Sequence, residues 1–127
     1  MSNKIKILYS LIESPAHPRF SDFYKKSGFT EVRLESSRKA MSELKKNPPD
    51  IIVAEFFYGY GNNYAGINIS NLDVFLHALR RYAPDARVIV LVEKPERQHV
   101  DKLMELFSIH AVLTYPVSEK KMSEALG

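Results

Sequence analysis

Two unbroken apolar runs, Ile51-Ile52-Val53-Ala54 and Val88-Ile89-Val90-Leu91-Val92, constrain this chain more than any other feature of its sequence. A strand with one wet face alternates apolar and polar residues, whereas a run with no polar interruption needs cover on both faces. Turn-forming residues precede each run, Asn47-Pro48-Pro49 the first and Pro84 the second. Both runs therefore read as central strands of a parallel sheet, and parallel neighbours can be joined only by crossover connections.

The rest of the chain supplies those crossovers. Ile5, Ile7 to Tyr9 and Leu11 make a first apolar strand, halted at Glu13-Ser14-Pro15. Phe20 to Lys26 can form a short helix with Phe20, Phe23 and Tyr24 on one face and Ser27-Gly28 as its stop. Glu31 to Glu35 alternates, as a half-exposed edge strand does. Ser36 or Ser37 can cap a helix bearing Ala40, Met41 and Leu44, and Ser70 or Asn71 one bearing Leu72, Phe75, Leu76 and Leu79. Arg97 to Phe107 follows as an amphipathic helix, His110 to Thr114 as a last strand, and Ser118 to Leu126 as a final helix. Five strands alternating with five helices predict an α/β three-layer sandwich, a flavodoxin-like parallel sheet of order 2-1-3-4-5, spanning residues 1–127 as one domain. Ligands and chemistry in such sheets gather at the carboxyl ends of the strands.

Composition narrows the function classes. A hydrophobic fraction of 45% against 26% charged residues is enough for a core and too apolar for a disordered chain. The absence of cysteine excludes disulfides, thiol nucleophiles, iron–sulfur ligation and Cys-type zinc sites. No apolar run approaches the ~20 residues of a membrane span, and no signal peptide is readable, so a cytoplasmic location without membrane contact is expected. A net charge of +3 is small for a nucleic-acid binder. The doublets Lys25-Lys26, Lys45-Lys46, Arg80-Arg81 and Lys120-Lys121 fall on four different helices, which reads as solvated faces rather than a basic stripe.

The segments Ser36 to Leu44 running into Pro49 to Glu55, together with Ala111-Val112-Leu113-Thr114-Tyr115-Pro116-Val117-Ser118, make the chain resemble the receiver domain of bacterial response regulators over essentially its whole length. The resemblance implies phosphoryl transfer to an Asp ending the third strand. Acidic residues after the first strand would hold Mg²⁺, with a Thr or Ser after the fourth strand and a Lys before a proline after the fifth. Carried over by position, the acidic pair falls at Leu11 and Ile12 with only Glu13 nearby. The acceptor position is Glu55, the hydroxyl position Val92 and the Lys position Tyr115; Pro116 alone is retained. The chain thus resembles a degenerate variant, a pseudo-receiver, without phosphorylation chemistry. The resemblance also implies a cis Tyr115-Pro116 bond and a partner face at about Arg97 to Leu126. The final helix is shorter than receivers carry, which leaves room for an output domain beyond Gly127.

Several residues admit two readings. Glu55 is a permanent mimic of a phosphorylated Asp or, in preference, a carboxylate simply solvated at the strand end. Glu13, Glu55 and Glu93 would converge on a divalent cation only if all three strand ends keep register, so no metal or other cofactor is expected. Asp73 and His77 read as an exposed helix pair. The Tyr/Gly loop at 56–66, with Phe57, Tyr58, Tyr60 and Tyr64, either covers the emptied pocket or forms a partner-binding surface. No nucleophile elbow or paired metal spacing supports an enzyme. The expected function is a phosphorylation-independent signalling module that binds a protein partner. A small-ligand or metal-binding protein using the Tyr/Gly loop is the alternative, and a nucleic-acid-associated protein a distant third.

Overall fold

In the computed structural model, which describes residues 6–12, 20–58 and 70–127, both apolar runs are buried strands. The strands are β1 (Lys6–Leu11), β2 (Phe29–Leu34), β3 (Ile51–Glu55), β4 (Arg87–Val92) and β5 (Ala111–Thr114). Between and after them run α1 (Ser21–Lys26), α2 (Ser37–Leu44), α3 (Asp73–Tyr82), α4 (Arg97–Leu106) and α5 (Glu119–Leu126), with one 3₁₀ turn at Lys94–Glu96 ahead of α4. All pairings are parallel and the order is β2-β1-β3-β4-β5, as the alternation requires.

Strand parity divides the core. Ile52, Ala54, Val88, Val90 and Val92 pack with α2, α3 and α4, whereas Ile51, Val53, Ile89 and Leu91 pack with α1 and α5. Every residue of β3 is buried, and every residue of β4 after Arg87. The flanking strands tolerate water: β2 alternates, and all four residues of β5 are half-buried. Tyr9 lies wholly inside the α2–α4 layer, where its hydroxyl donates to the Asn47 carbonyl at 2.6 Å. That bond satisfies a buried polar tip and fixes the end of α2 over the sheet.

The helix boundaries follow local chemistry. Ser36 caps α2 by accepting from the Lys39 amide at 3.2 Å, and Ser118 caps α5 by accepting from the Lys121 amide at 3.2 Å. Gly28, at φ +91°, ends α1 in a conformation that a Cβ would oppose. One expected cap moves: neither Ser70 nor Asn71 is the cap of α3, whose N-cap is Leu72. The Asn71 side chain is committed elsewhere, and Ser70 Oγ accepts from the Leu72 amide at 3.1 Å in the preceding turn. Asp73 is also not half of an exposed pair with His77. It is buried, and its Oδ1 accepts from the Ser70 amide at 2.7 Å and the Ser70 hydroxyl at 2.9 Å.

Phe75 contributes the largest apolar side chain of α3 to the core and is fully buried. Phe75→Ala is expected to lower stability by about 3–5 kcal/mol through lost burial and a residual cavity, measured as a shift of the urea midpoint at unchanged slope.

Candidate functional site

At the carboxyl end of β3, Glu55 follows the buried run on the face that Ile51 and Val53 share, toward α1 and α5. It is 2% exposed, so the solvated carboxylate expected from the sequence is not what the fold produces. The chain leaves β5 through Tyr115, whose amide still donates to the Val92 carbonyl at 2.9 Å. Its phenol crosses two strand positions to donate to Glu55 Oε2 at 2.7 Å. A phenol bonded to a buried carboxylate is a short, charge-assisted pair, stronger than a neutral one. Burial, first, and then the hydrogen bond to Glu55 and the charges of Glu55 and Glu93, with Tyr24 adjoining, push the Tyr115 hydroxyl well above the usual tyrosine range. The bond from Tyr115 to Pro116 is cis, as the sequence led us to expect.

The other positions around the strand ends separate by parity. Ile12 is half-buried against the cluster that holds Tyr115, so an apolar side chain stands one step beyond the Leu11 to Ala54 pairing. Leu11 and Val92 are buried in the opposite cluster, with α2 to α4. The fold thus brings Glu55 and Tyr115 together, places Ile12 on the same side of the sheet, and directs Leu11 and Val92 to the other. Glu93 is exposed, Pro116 is exposed, and Glu13, Tyr60 and Tyr64 lie outside the described residues. Among the described residues, no three His, Asp or Glu side chains are arranged to hold a metal ion.

A second set of bonds fastens the chain that leaves β3. Asn71 Nδ2 donates to the Glu55 carbonyl at 2.9 Å, while Asn71 Oδ1 accepts from the Phe57 amide at 2.7 Å. The Asn71 amide donates back to the Phe57 carbonyl at 3.2 Å, and Ser37 Oγ donates to the Asn71 carbonyl at 2.9 Å. Phe56, enclosed between these contacts, is buried and donates its amide to the Leu91 carbonyl at 2.8 Å. Tyr58 bridges to Ser70 and donates its amide to Glu96 Oε1 at 3.1 Å. Its ring, half in solvent, stacks on His99 of α4 with centroids 3.6 Å apart and planes 13° from parallel. Of the four aromatics singled out in the sequence, Phe57 and Tyr58 therefore mark the base of the 59–69 segment. Asn71 and Asp73 take other roles than the cap and the exposed pair read from the sequence, and Glu96 and His99 escaped that reading. Ser70-Asn71-Leu72-Asp73 does carry a capping-type spacing, which was the available signal for the first two.

No family model matches the chain, and no curated protein matches it. Solved structures do. The response regulator receiver domain protein from Clostridium thermocellum superposes with a TM-score of 0.71 over 97% of this chain and 91% of its own, at 18% identity. The fold is that of a receiver domain. A CheY-like receiver domain protein from Methanospirillum hungatei JF-1 gives 0.69 over 97% and 91%, at 9% identity. The N-terminal domain of a response regulator/sensory box/GGDEF 3-domain protein from Carboxydothermus hydrogenoformans gives 0.69 over 95% and 90%, at 15% identity. At such identities the likeness is one of architecture. The receiver fold here carries its own arrangement at the strand ends, a tyrosine bonded to a buried glutamate.

Tyr9, Tyr24 and Tyr115 all have hydroxyls pushed up chiefly by burial. In the unfolded chain they ionise near the ordinary value of about 10, whereas in the folded state they stay neutral. The unfolded state then holds fewer protons, so their contribution is intact below about pH 10 and is lost as pH rises above it. Alkaline unfolding is expected to steepen above that pH, and Tyr115→Phe is expected to flatten it. At neutral pH the same substitution leaves the buried Glu55 without its phenol donor and is expected to cost about 1–3 kcal/mol in chemical denaturation.

Proposed function

We propose that this chain is a pseudo-receiver, a cytoplasmic signalling module that binds a protein partner without phosphoryl transfer. The observation that supports this reading most directly is the 2.7 Å hydrogen bond between Tyr115 and Glu55. Phosphoryl transfer is accomplished by positioned charge, with a metal and a fixed cation neutralising what develops on the phosphoryl oxygens. At the position where the resemblance expects a Lys ammonium there is a phenol, which donates one hydrogen bond and brings no charge. The acceptor position holds a carboxylate that is 2% exposed and already engaged. The side chains of Ile12 and Val92 offer no oxygen to a metal or a phosphoryl group.

The same bond suits a binding module. It ties the end of β3 to the junction between β5 and α5, and that junction borders the face made by α4, β5 and α5. Receivers act through this face, and here it spans about Arg97 to Leu126. The apolar side chains of Met104 and Leu106 on α4 are 43% and 50% exposed, and β5 is a half-exposed edge strand. Exposed apolar groups beside an open strand edge are the kind of material that protein interfaces cover.

Incubation with acetyl phosphate and Mg²⁺ is expected to leave the intact mass unchanged. A stoichiometric, acid-labile phosphoryl adduct in the mass spectrum would overturn the proposal.

A further inference from the structure

In a parallel sheet each crossover helix runs against the strands, so its carboxyl end arrives beside the amino end of the next strand. Lys25 and Lys26 occupy the last turn of α1, Lys45 and Lys46 follow the end of α2, and Arg80 and Arg81 occupy the last turn of α3. Three doublets that are separate in sequence therefore meet on one rim of the domain. Lys6 and Arg87, the first residues of β1 and β4, stand on the same rim. The strand starts lie side by side: Lys6 pairs with Phe29, and Asp50 bonds through its main chain to both Ile7 and Arg87, at 2.8 and 3.0 Å. Apart from the half-buried Arg87, these cations are exposed.

The carboxylates near them are fewer, and two of them are engaged. Asp50 Oδ2 accepts from the Ile7 amide at 2.8 Å, and Glu43 Oε2 accepts from Asn47 Nδ2 at 2.6 Å. Asp85 is exposed in the turn before β4, and Glu105 and Glu124 lie in the last turns of α4 and α5. One basic residue in a last turn complements a helix dipole. Paired basic residues on three consecutive helices, with two more cations leading strands, exceed that need.

A cleft of about 260 Å³ opens on this rim between the end of α3 and the turn after α4. Leu79, Ala83, Val88 and Phe107 give it an apolar lining, to which Arg80, Arg87 and Asp85 add charge. The Arg80 guanidinium sits 4.6 Å from the centre of the Phe107 ring and donates to the Leu106 carbonyl, which fixes its place beside the cleft.

We propose that this rim docks an acidic segment of a partner protein, one apolar side chain of which enters the cleft. A phosphate backbone or an anionic headgroup layer matches the charge alone. An apolar side chain flanked by carboxylates matches the charge and the cleft together. The proposal deepens the partner reading by giving the partner a chemistry, and rests on it only for the premise that the chain acts by binding.

Fluorescence anisotropy with the full chain tests it, using a labelled Asp/Glu peptide that carries one central Phe. The comparison probes are the same peptide with Ala for Phe, random-sequence duplex DNA, and phosphatidylserine vesicles. The Phe peptide is expected to bind roughly tenfold more tightly than the Ala peptide. Lys45→Glu with Lys46→Glu is expected to weaken it about tenfold. Arg38→Glu with Lys39→Glu makes the same charge change in the first turn of α2, at the opposite rim and outside the α4–β5–α5 face, and should leave it unchanged. Both double variants alter exposed side chains, and circular dichroism melts verify that they fold. Absence of peptide binding, equal binding of the two peptides, equal loss in both variants, or tighter binding of DNA or vesicles would overturn the proposal. A phosphoryl adduct on the chain would sink the reading of the preceding subsection and leave this one standing, and failure of the peptide would do the reverse.

Discussion

Exclusion of water from both faces of β3 and β4 is the constraint on which the rest of the molecule depends. Neither strand has a side chain that can serve as a wet face, so two layers of helices are obligatory, and parallel pairing is what allows crossovers to supply them. Each Å² of apolar area removed from water contributes roughly 25 cal/mol, and β3 and β4 bury theirs on both faces. Edge strands need less cover, and β2 and β5 accordingly show half-exposed residues. Glu55 inherits its environment from this arrangement. It is the last residue of a strand that is dry on both sides, and a carboxylate placed there has to find a donor inside the protein.

Tyr115 supplies that donor, and the chemistry of the strand ends follows. A lysine at the same point would bring a mobile, hydrated charge on a long stem, suited to neutralising a transient anion. A tyrosine brings a rigid ring that fills volume and offers one directed hydrogen bond. Ile12 and Tyr115 both pack against the α1–α5 side of the core, and the Tyr115 hydroxyl reaches Glu55 from there. Breaking that contact takes one hydrogen bond from a carboxylate that is 2% exposed, at a cost that an exposed group would not incur.

Most of the architecture was legible from local pattern. Ile51 to Ala54 and Val88 to Val92 announced the central strands, Glu31 to Glu35 an edge, and Ser36 and Ser118 two of the caps. The Glu55 environment was harder to read, because burial of a terminal carboxylate depends on Tyr115, sixty residues away in sequence. Asn71 illustrates the same limit: its position beside a helix start suggested a cap, whereas its amide is spent on the Glu55 carbonyl and the Phe57 amide. Three of the basic doublets, exposed as the sequence suggested, look unrelated when read along the chain, since they belong to different helices. Parallel topology gathers those helix ends, and only the sheet order makes that visible.

The bonds that Asn71 makes on both sides of Phe56 tie the end of β3 directly to the start of α3. The Tyr58 to Ser70 bridge and the Asp73 contacts with Ser70 hold the two stems of the 59–69 segment together. The end of β3 and the start of α3 are thus joined by contacts of their own. Each doubling of a loop's length adds only about 0.6 kcal/mol of closure entropy. An insertion between Tyr58 and Ser70, whether a reporter peptide or an entire domain, would thus meet two chain ends that are already held next to each other.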